Sequence, residues 1–274
     1  MNTQTRGQCG PERTTRRWIA VATFGTLVGA AGGGALAAAD LDAFLAGTSR
    51  ACVECNLKDR DLQTRDFQRA KLDRADLENV NLEGGSLFRA TLTGANLKGA
   101  KLAMANLNVI DAKGANFEGA DMSQALLFEA DLSGADLAGA ILRAAHLGRA
   151  RLNQANLAGA VLAGADLREA RLAGAKLAGA DMRGVILDGL NLREMDFHGI
   201  DFTLADMVET DFTGADLRGA QLAGVNLYGA DLHGADLRGA NFEGANLENA
   251  ILSDAQTEGA KFDAAIMPDG HRSD

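Results

Sequence analysis

The sequence predicts an all-β solenoid of square cross-section, closed at its N-terminal end by a short helix, and three observations predict it. Stepping five residues at a time from Leu57 to Met267 meets Leu, Phe or Met at 41 of 43 positions, Ala112 and Thr257 being the exceptions. Two residues before each of these runs a second column, Cys55 to Ala265, with Ala at 31 of its 43 positions. The third observation is composition: 33 Gly but only one Trp and one Tyr in 274 residues, too few aromatics for an ordinary enzyme core of this size. Hydrophobic residues make up 47% of the chain, which excludes disorder. A period of five fits neither an amphipathic helix nor an alternating strand.

The N-terminal residues 1–39 do not share the repeat. Arg6, Arg13, Arg16 and Arg17 precede an uncharged run of 22 residues, Trp18 to Ala39, that ends in Ala35-Leu36-Ala37-Ala38-Ala39. A basic leader, an apolar stretch and small residues before the first acid read as a signal peptide. The run is also long enough to stay in the bilayer as a signal anchor. The chain is therefore expected to be exported, periplasmic or extracellular, or held at the membrane by residues 18–39. Its net charge of -10 becomes -13 without the leader, which argues against a surface that neutralises nucleic-acid phosphates.

Residues 40–56 form the expected cap. Leu41, Phe44 and Leu45 stand at i, i+3, i+4 and make a short apolar helical stripe, suited to covering the open first coil.

Over residues 57–267 the physical solution to the period is a chain that turns a corner every five residues. Each short side points one large and one small apolar residue inward, and four sides close a coil of 20 residues whose edges bond to the coil above. At ~4.8 Å per coil, roughly ten coils make a rod about 50 Å long. Segments such as Ala135-Asp136-Leu137-Ala138-Gly139 and Ala235-Asp236-Leu237-Arg238-Gly239 resemble the A(D/N)LxG motif of the pentapeptide-repeat family, and the resemblance spans about residues 55–267. It implies a right-handed quadrilateral β-helix. The family hosts diverse roles, so function has to be sought on the surface.

Val185, Leu190, Met195 and Ile200 place large residues in the small column on all four sides of one coil. The expectation is a local swelling, a packing seam between two halves, or a repacked stretch of core. Around Ile110 and Ala112 the two columns exchange size and conserve volume.

Cys52-Val53-Glu54-Cys55 opens the repeat and admits three readings: a structural disulfide, a redox pair or half a metal site. A zinc site wants about four ligands, a redox motif a β-α-β setting. With export implied, and as exported members of the family resemble it, a disulfide between Cys52 and Cys55 that staples the cap is the expectation.

Positions 20 apart stack, so outward residues sort by side. The side centred on Leu77, Leu97, Phe117 and Leu137 carries a ladder from Asn56 to Asp236 that is Asp or Asn at every step but Lys176, with Gly two residues after the centre nine times running, Gly99 to Gly259. Such glycines suit a turn whose second central residue has positive φ. The ladder reads as carboxylates and amides tying down turns; read instead as a mimic of a DNA backbone, it is interrupted by Lys98, Arg218 and Arg238. The side centred on Phe67, Leu87, Leu107 and Leu127 holds the outward aromatics Phe88, Phe128 and Tyr228, with Arg69, Arg89, Arg149, Leu126 and His146 around them. That mixture is the candidate binding face for a protein partner.

Catalysis finds no support. His146, His198 and His233 fall on three sides of a filled core, and no cofactor or metal set is apparent. The expected function is a non-enzymatic structural or protein-interaction scaffold in the cell envelope. The alternative, implied by the resemblance to gyrase-protecting members, is an acidic DNA-mimic rod that binds a topoisomerase. After Phe262 only Asp263 to Met267 precede a polar tail, 268–274. The final coil is therefore expected to stand uncovered and to pair with a second copy.

Overall fold

The computed structural model describes residues 41–274. The leader 1–39, and with it the expected export or anchoring segment, lies outside the described residues. Among those described, no helix is long and apolar enough to cross a membrane.

From Ala51 onward the chain winds into a quadrilateral β-helix. The four sides of the first turn pair with the second through single parallel bridges, Ala51–Lys71, Asn56–Asp76, Asp61–Asn81 and Asp66–Ser86, and the pattern continues to Asn246–Ile266. The sides are named after four successive large residues, Leu77, Leu82, Leu87 and Leu92, the last standing one turn above Leu72. Nearly every large-column residue donates its N–H to the next turn, as Leu137 does to the Asn156 carbonyl at 2.7 Å, and the residue before it bonds downward, as Asp136 does to Ala115 at 2.9 Å.

The corner between sides is a four-residue turn. Ala140 N donates to the Leu137 carbonyl at 3.0 Å, and Gly139, third in that turn, has φ 63°. This is type II geometry. Every fifth residue from Glu54 to Ala264 has positive φ, 22 of them glycine and 21 not. With φ satisfied at each corner, both columns point inward, and Ala135 and Leu137 are typical in being at most 1% exposed.

The first turn is covered by a helix over residues 41–45. Phe44 is 2% exposed and stacks on Phe67 with ring centroids 4.9 Å apart, while Leu41 and Leu45 rest against the core. Arg65 occupies a small-column position at the open end, and its Nη1 donates to the Leu45 carbonyl at 3.0 Å, tying the helix down. At the other end the tail does more than the sequence suggests. Ile266 pairs antiparallel with Arg272, Met267 N donates to His271 O at 2.7 Å and Ser273 N to Ala265 O at 2.8 Å. One side of the last turn is thus covered by backbone pairing, and the described residues leave the sides of Leu252, Thr257 and Phe262 uncovered.

Between the turns carrying Ala170 and Leu190 the ladder breaks. The bridges Arg171–Asn191 and Lys176–Asp196 are missing, whereas Asp166–Ile186 and Asp181–Asp201 on the flanking sides persist. Leu190 stacks over Ala170 and Met195 over Ala175, in a column that holds alanine at most of its positions. Of the readings the sequence admitted, the missing bridges correspond to a seam between two halves.

Candidate protein-binding face

On most turns an Asp or Asn just before the large residue accepts the N–H of the residue just after it, as Asp66 does for Gln68 at 2.9 Å and Asn106 for Asn108 at 3.1 Å. Leu126 and His146 interrupt this on the Leu87 side, and they bridge to each other between adjacent turns. Without an acceptor at Leu126, the N–H of Phe128 is taken by Asn108 Oδ1 one turn below, at 2.8 Å. Gly148, one turn above Phe128, has no positive φ to require it; a Cβ there would stand 3.3 Å from Phe128 Cδ2. Glycine at 148 lets the Phe128 ring lie across the turn above.

The aromatic rings carry cations. The Arg89 guanidinium lies 5.1 Å from the Phe88 centroid and that of Arg149 lies 5.7 Å from Phe128. Arg149 is held by Glu169, Nε to Oε2 at 2.8 Å, with Glu129 3.7 Å away on its other side. Leu126 and Phe128 are 39% and 43% exposed. Beside them a cavity of about 310 Å³ opens between Phe128, His146, Gly148 and Arg168. Arg168 grips Asp166 through Nη2 at 2.6 Å; that bond holds the Asp166 carboxyl below the usual carboxylate range against its burial.

The structure brings Leu126, Phe128, His146 and Arg149 together, while the Phe88–Arg89 pair stands two turns below Phe128, about 10 Å away, with Arg69 one turn below Arg89. Tyr228, 39% exposed, does not join them. It stands five turns above Phe128, about 24 Å away. Sequence reasoning missed Asn108, Gly148, Glu129 and Glu169. Gly148 had a signal, as the only glycine directly after a large-column residue; the others became visible only once the turns were stacked.

The opposite side is built as a tie. Asp136 Oδ1 accepts Ala138 N at 3.1 Å and Asn156 Nδ2 at 2.9 Å, and Asp76 Oδ1 accepts Glu78 N at 3.2 Å and Asn96 Nδ2 at 3.0 Å. Asp216 and Asp236 are paired with Arg218 and Arg238. Cys52 and Cys55 bracket the first corner, both buried, with sulfurs 2.12 Å apart and Cα atoms 5.2 Å apart, at disulfide distance. Among the described residues, no group of three or more His, Cys, Asp or Glu is arranged to hold a metal ion.

A family model described as pentapeptide repeats matches in eight copies, over residues 52–87, 90–127, 105–143, 145–184, 165–203, 205–244 and 240–268. No match is found among the curated proteins. Solved structures with similar chains include HetL, a pentapeptide repeat protein involved in heterocyst differentiation regulation from the cyanobacterium Nostoc, 28% identical over 85% of this chain and 97% of its own, TM-score 0.30. QnrB1, a plasmid-mediated fluoroquinolone resistance protein, is 23% identical over 74% of this chain and 90% of its own, TM-score 0.32. Rfr23, from the cyanobacterium Cyanothece, is 26% identical over 52% of this chain and 97% of its own, TM-score 0.23.

Proposed function

The chain belongs to the pentapeptide-repeat family, with its right-handed quadrilateral β-helix, and from that premise we propose that it is a non-enzymatic scaffold that docks a protein partner on the Leu87 side. The observation that carries this is the break in the Asx pattern on two successive turns, at Leu126 and His146, which leaves an exposed Leu and Phe beside the stacked Arg149 on a side where most turns carry Asp or Asn. An apolar anchor from the partner, rimmed by carboxylates, matches that surface. Exposed apolar residues elsewhere, such as Met104 and Leu204, stand alone at corners five turns apart.

The basic leader and apolar run support a site of action in the cell envelope. The acidic DNA-mimic reading is favoured by the net charge of -10, but Arg218 and Arg238 neutralise its ladder at Asp216 and Asp236. Cell fractionation separates the two: a cytoplasmic rod supports the mimic, an envelope rod the scaffold. The three uncovered sides of the last turn support a homodimer through that end, to be checked by light scattering at tens of micromolar before and after deletion of 256–274.

The docking face is tested by site-specific photo-crosslinking in the source cells, with a benzophenone side chain at Phe128 or at Ala138 on the opposite side. An adduct from 128 and none from 138 is the expected result. Adducts from 138 alone, or from neither, reject the assignment.

A further inference from the structure

The backbone ladder has one interruption among the described residues, and its chemistry is unlike that of a merely repacked core. Amides of Leu172, Gly174, Leu177 and Gly179 make no backbone bond to the turn above, and those of Asn191, Asp196 and Asp201 make none to the turn below; the equivalent amides one turn away, such as Leu152, Leu157, Asp211 and Asp216, are all bonded. On the Leu87 and Leu82 sides the connection holds in part: Leu167 N donates to Ile186 O at 3.0 Å, Ile186 N to Ala165 O at 3.0 Å, and Gly184 N to Thr203 O at 2.9 Å, while Glu169 N and Asp201 N lack their cross-turn bonds there too. A cavity of about 290 Å³ opens at the gap beside Ala158, Ala175, Leu177 and Asp196. That is room for several waters, whose share of liquid volume is about 30 Å³ each. Solvent reaches the columns there, with Ala170 9% and Met195 8% exposed.

We propose that this gap is a joint, at which the rod flexes as two rigid stacks. The lower stack ends with the turn of Ala170 and Ala175, the upper begins with the turn of Leu190 and Met195. The stacks stay joined along the Leu82 and Leu87 sides, through the chain of residues 181–187, and part along the Leu92 and Leu77 sides. Closing the gap would form backbone bonds but press Leu190 and Met195 into corners sized for alanine; opening it relieves the corners and wets the amides. Two opposed terms of similar kind leave a soft coordinate where every other turn is stiff. The joint lies between Phe128 and Tyr228 on the pivot side, so flexing tilts one exposed aromatic position against the other.

Hydrogen exchange on the intact chain tests this. The amides of Leu172, Leu177, Asn191 and Asp196 are expected to exchange at least about 100-fold faster than those of Leu152, Leu157, Asp211 and Asp216. In L190A/M195A, where both corners return to alanine, the fast set should slow to the rate of its neighbours. Equal protection of the two sets in the unaltered protein overturns the joint, whatever the variant does. A folded variant in which the fast set stays fast overturns the stated cause.

Discussion

A corner residue in the left-handed region costs an L-amino acid about 1 kcal/mol or more, and glycine nearly nothing. Gly164 sits at such a corner with φ 70° and open space around its would-be Cβ, so Gly164→Ala isolates the backbone cost. Chemical denaturation should show a loss of about 1 kcal/mol. The reverse change at an exposed non-glycine corner, Leu204→Gly at φ 61°, should leave stability unchanged or raise it by less than about 1 kcal/mol, since relieved strain is offset by a freer unfolded chain. Sequence revealed the glycine corners by their spacing. It could not reveal that the other 21 corners share the conformation, because cross-turn bonding on both flanks imposes the angle on any residue. Asp188 is a second single-residue case. Burial raises its pKa, Asp206 adds like charge, and its Oδ1 accepts Val208 N at 3.0 Å. Asparagine keeps the acceptor, as Asn108 does under Phe128. A raised carboxyl pKa is a cost that grows as pH rises, so Asp188→Asn should stabilise at pH 7 and not at pH 3.

At the scale of elements, the cap was legible because an apolar stripe at helical spacing has few other uses before a solenoid. The arginine that ties it was not, since Arg65 stands in a column that mostly holds alanine. A solenoid is coupled mainly to nearest neighbours, so Phe44→Ala, which unstacks Phe67, should cost about 3 kcal/mol and expose first-turn amides to exchange while turns beyond Asp111 stay protected. The Cys52–Cys55 link closes a loop of only four residues, for which chain entropy gives about 2 kcal/mol. Non-reducing peptide mass spectrometry should find the two joined, and reduction should lower stability by no more than that. The C-terminal tail escaped the sequence reading for a different reason. Residues 271–273 cover Ile266 with backbone groups, and backbone pairing leaves no mark in side-chain pattern. The binding face was half legible: the outward aromatics sort to one side by arithmetic, but Tyr228 belongs to another neighbourhood, and Gly148 matters only once a ring is seen to lie over it.

For the whole molecule the carboxylates set the acid limit. Hydrogen bonds from Arg168, Arg183, Arg218 and Arg238 hold Asp166, Asp181, Asp216 and Asp236 below the usual range despite burial. Burial acts to raise Asp131, but Ser133, Lys113 and Arg151 outweigh it and the net shift is downward. A depressed folded pKa gives stability that is present above the unfolded value of about 3.9 and is lost as pH falls through the folded one. The thermal midpoint should therefore be nearly level from pH 5 to 8 and fall below about pH 4. Each exposed pair contributes little, so the decline should be gradual. Every assignment of a residue to a side of the rod, the docking face and the joint included, depends on a 20-residue turn kept in register from end to end. Cysteine pairs oxidised in the folded protein measure that register directly, because stacked turns stand ~4.8 Å apart, within disulfide reach. Ala138→Cys with Ala158→Cys should cross-link on mild oxidation, and Ala138→Cys with Asn153→Cys, 15 apart and on another side, should not. Cross-linking of the second pair as readily as the first would contradict the account.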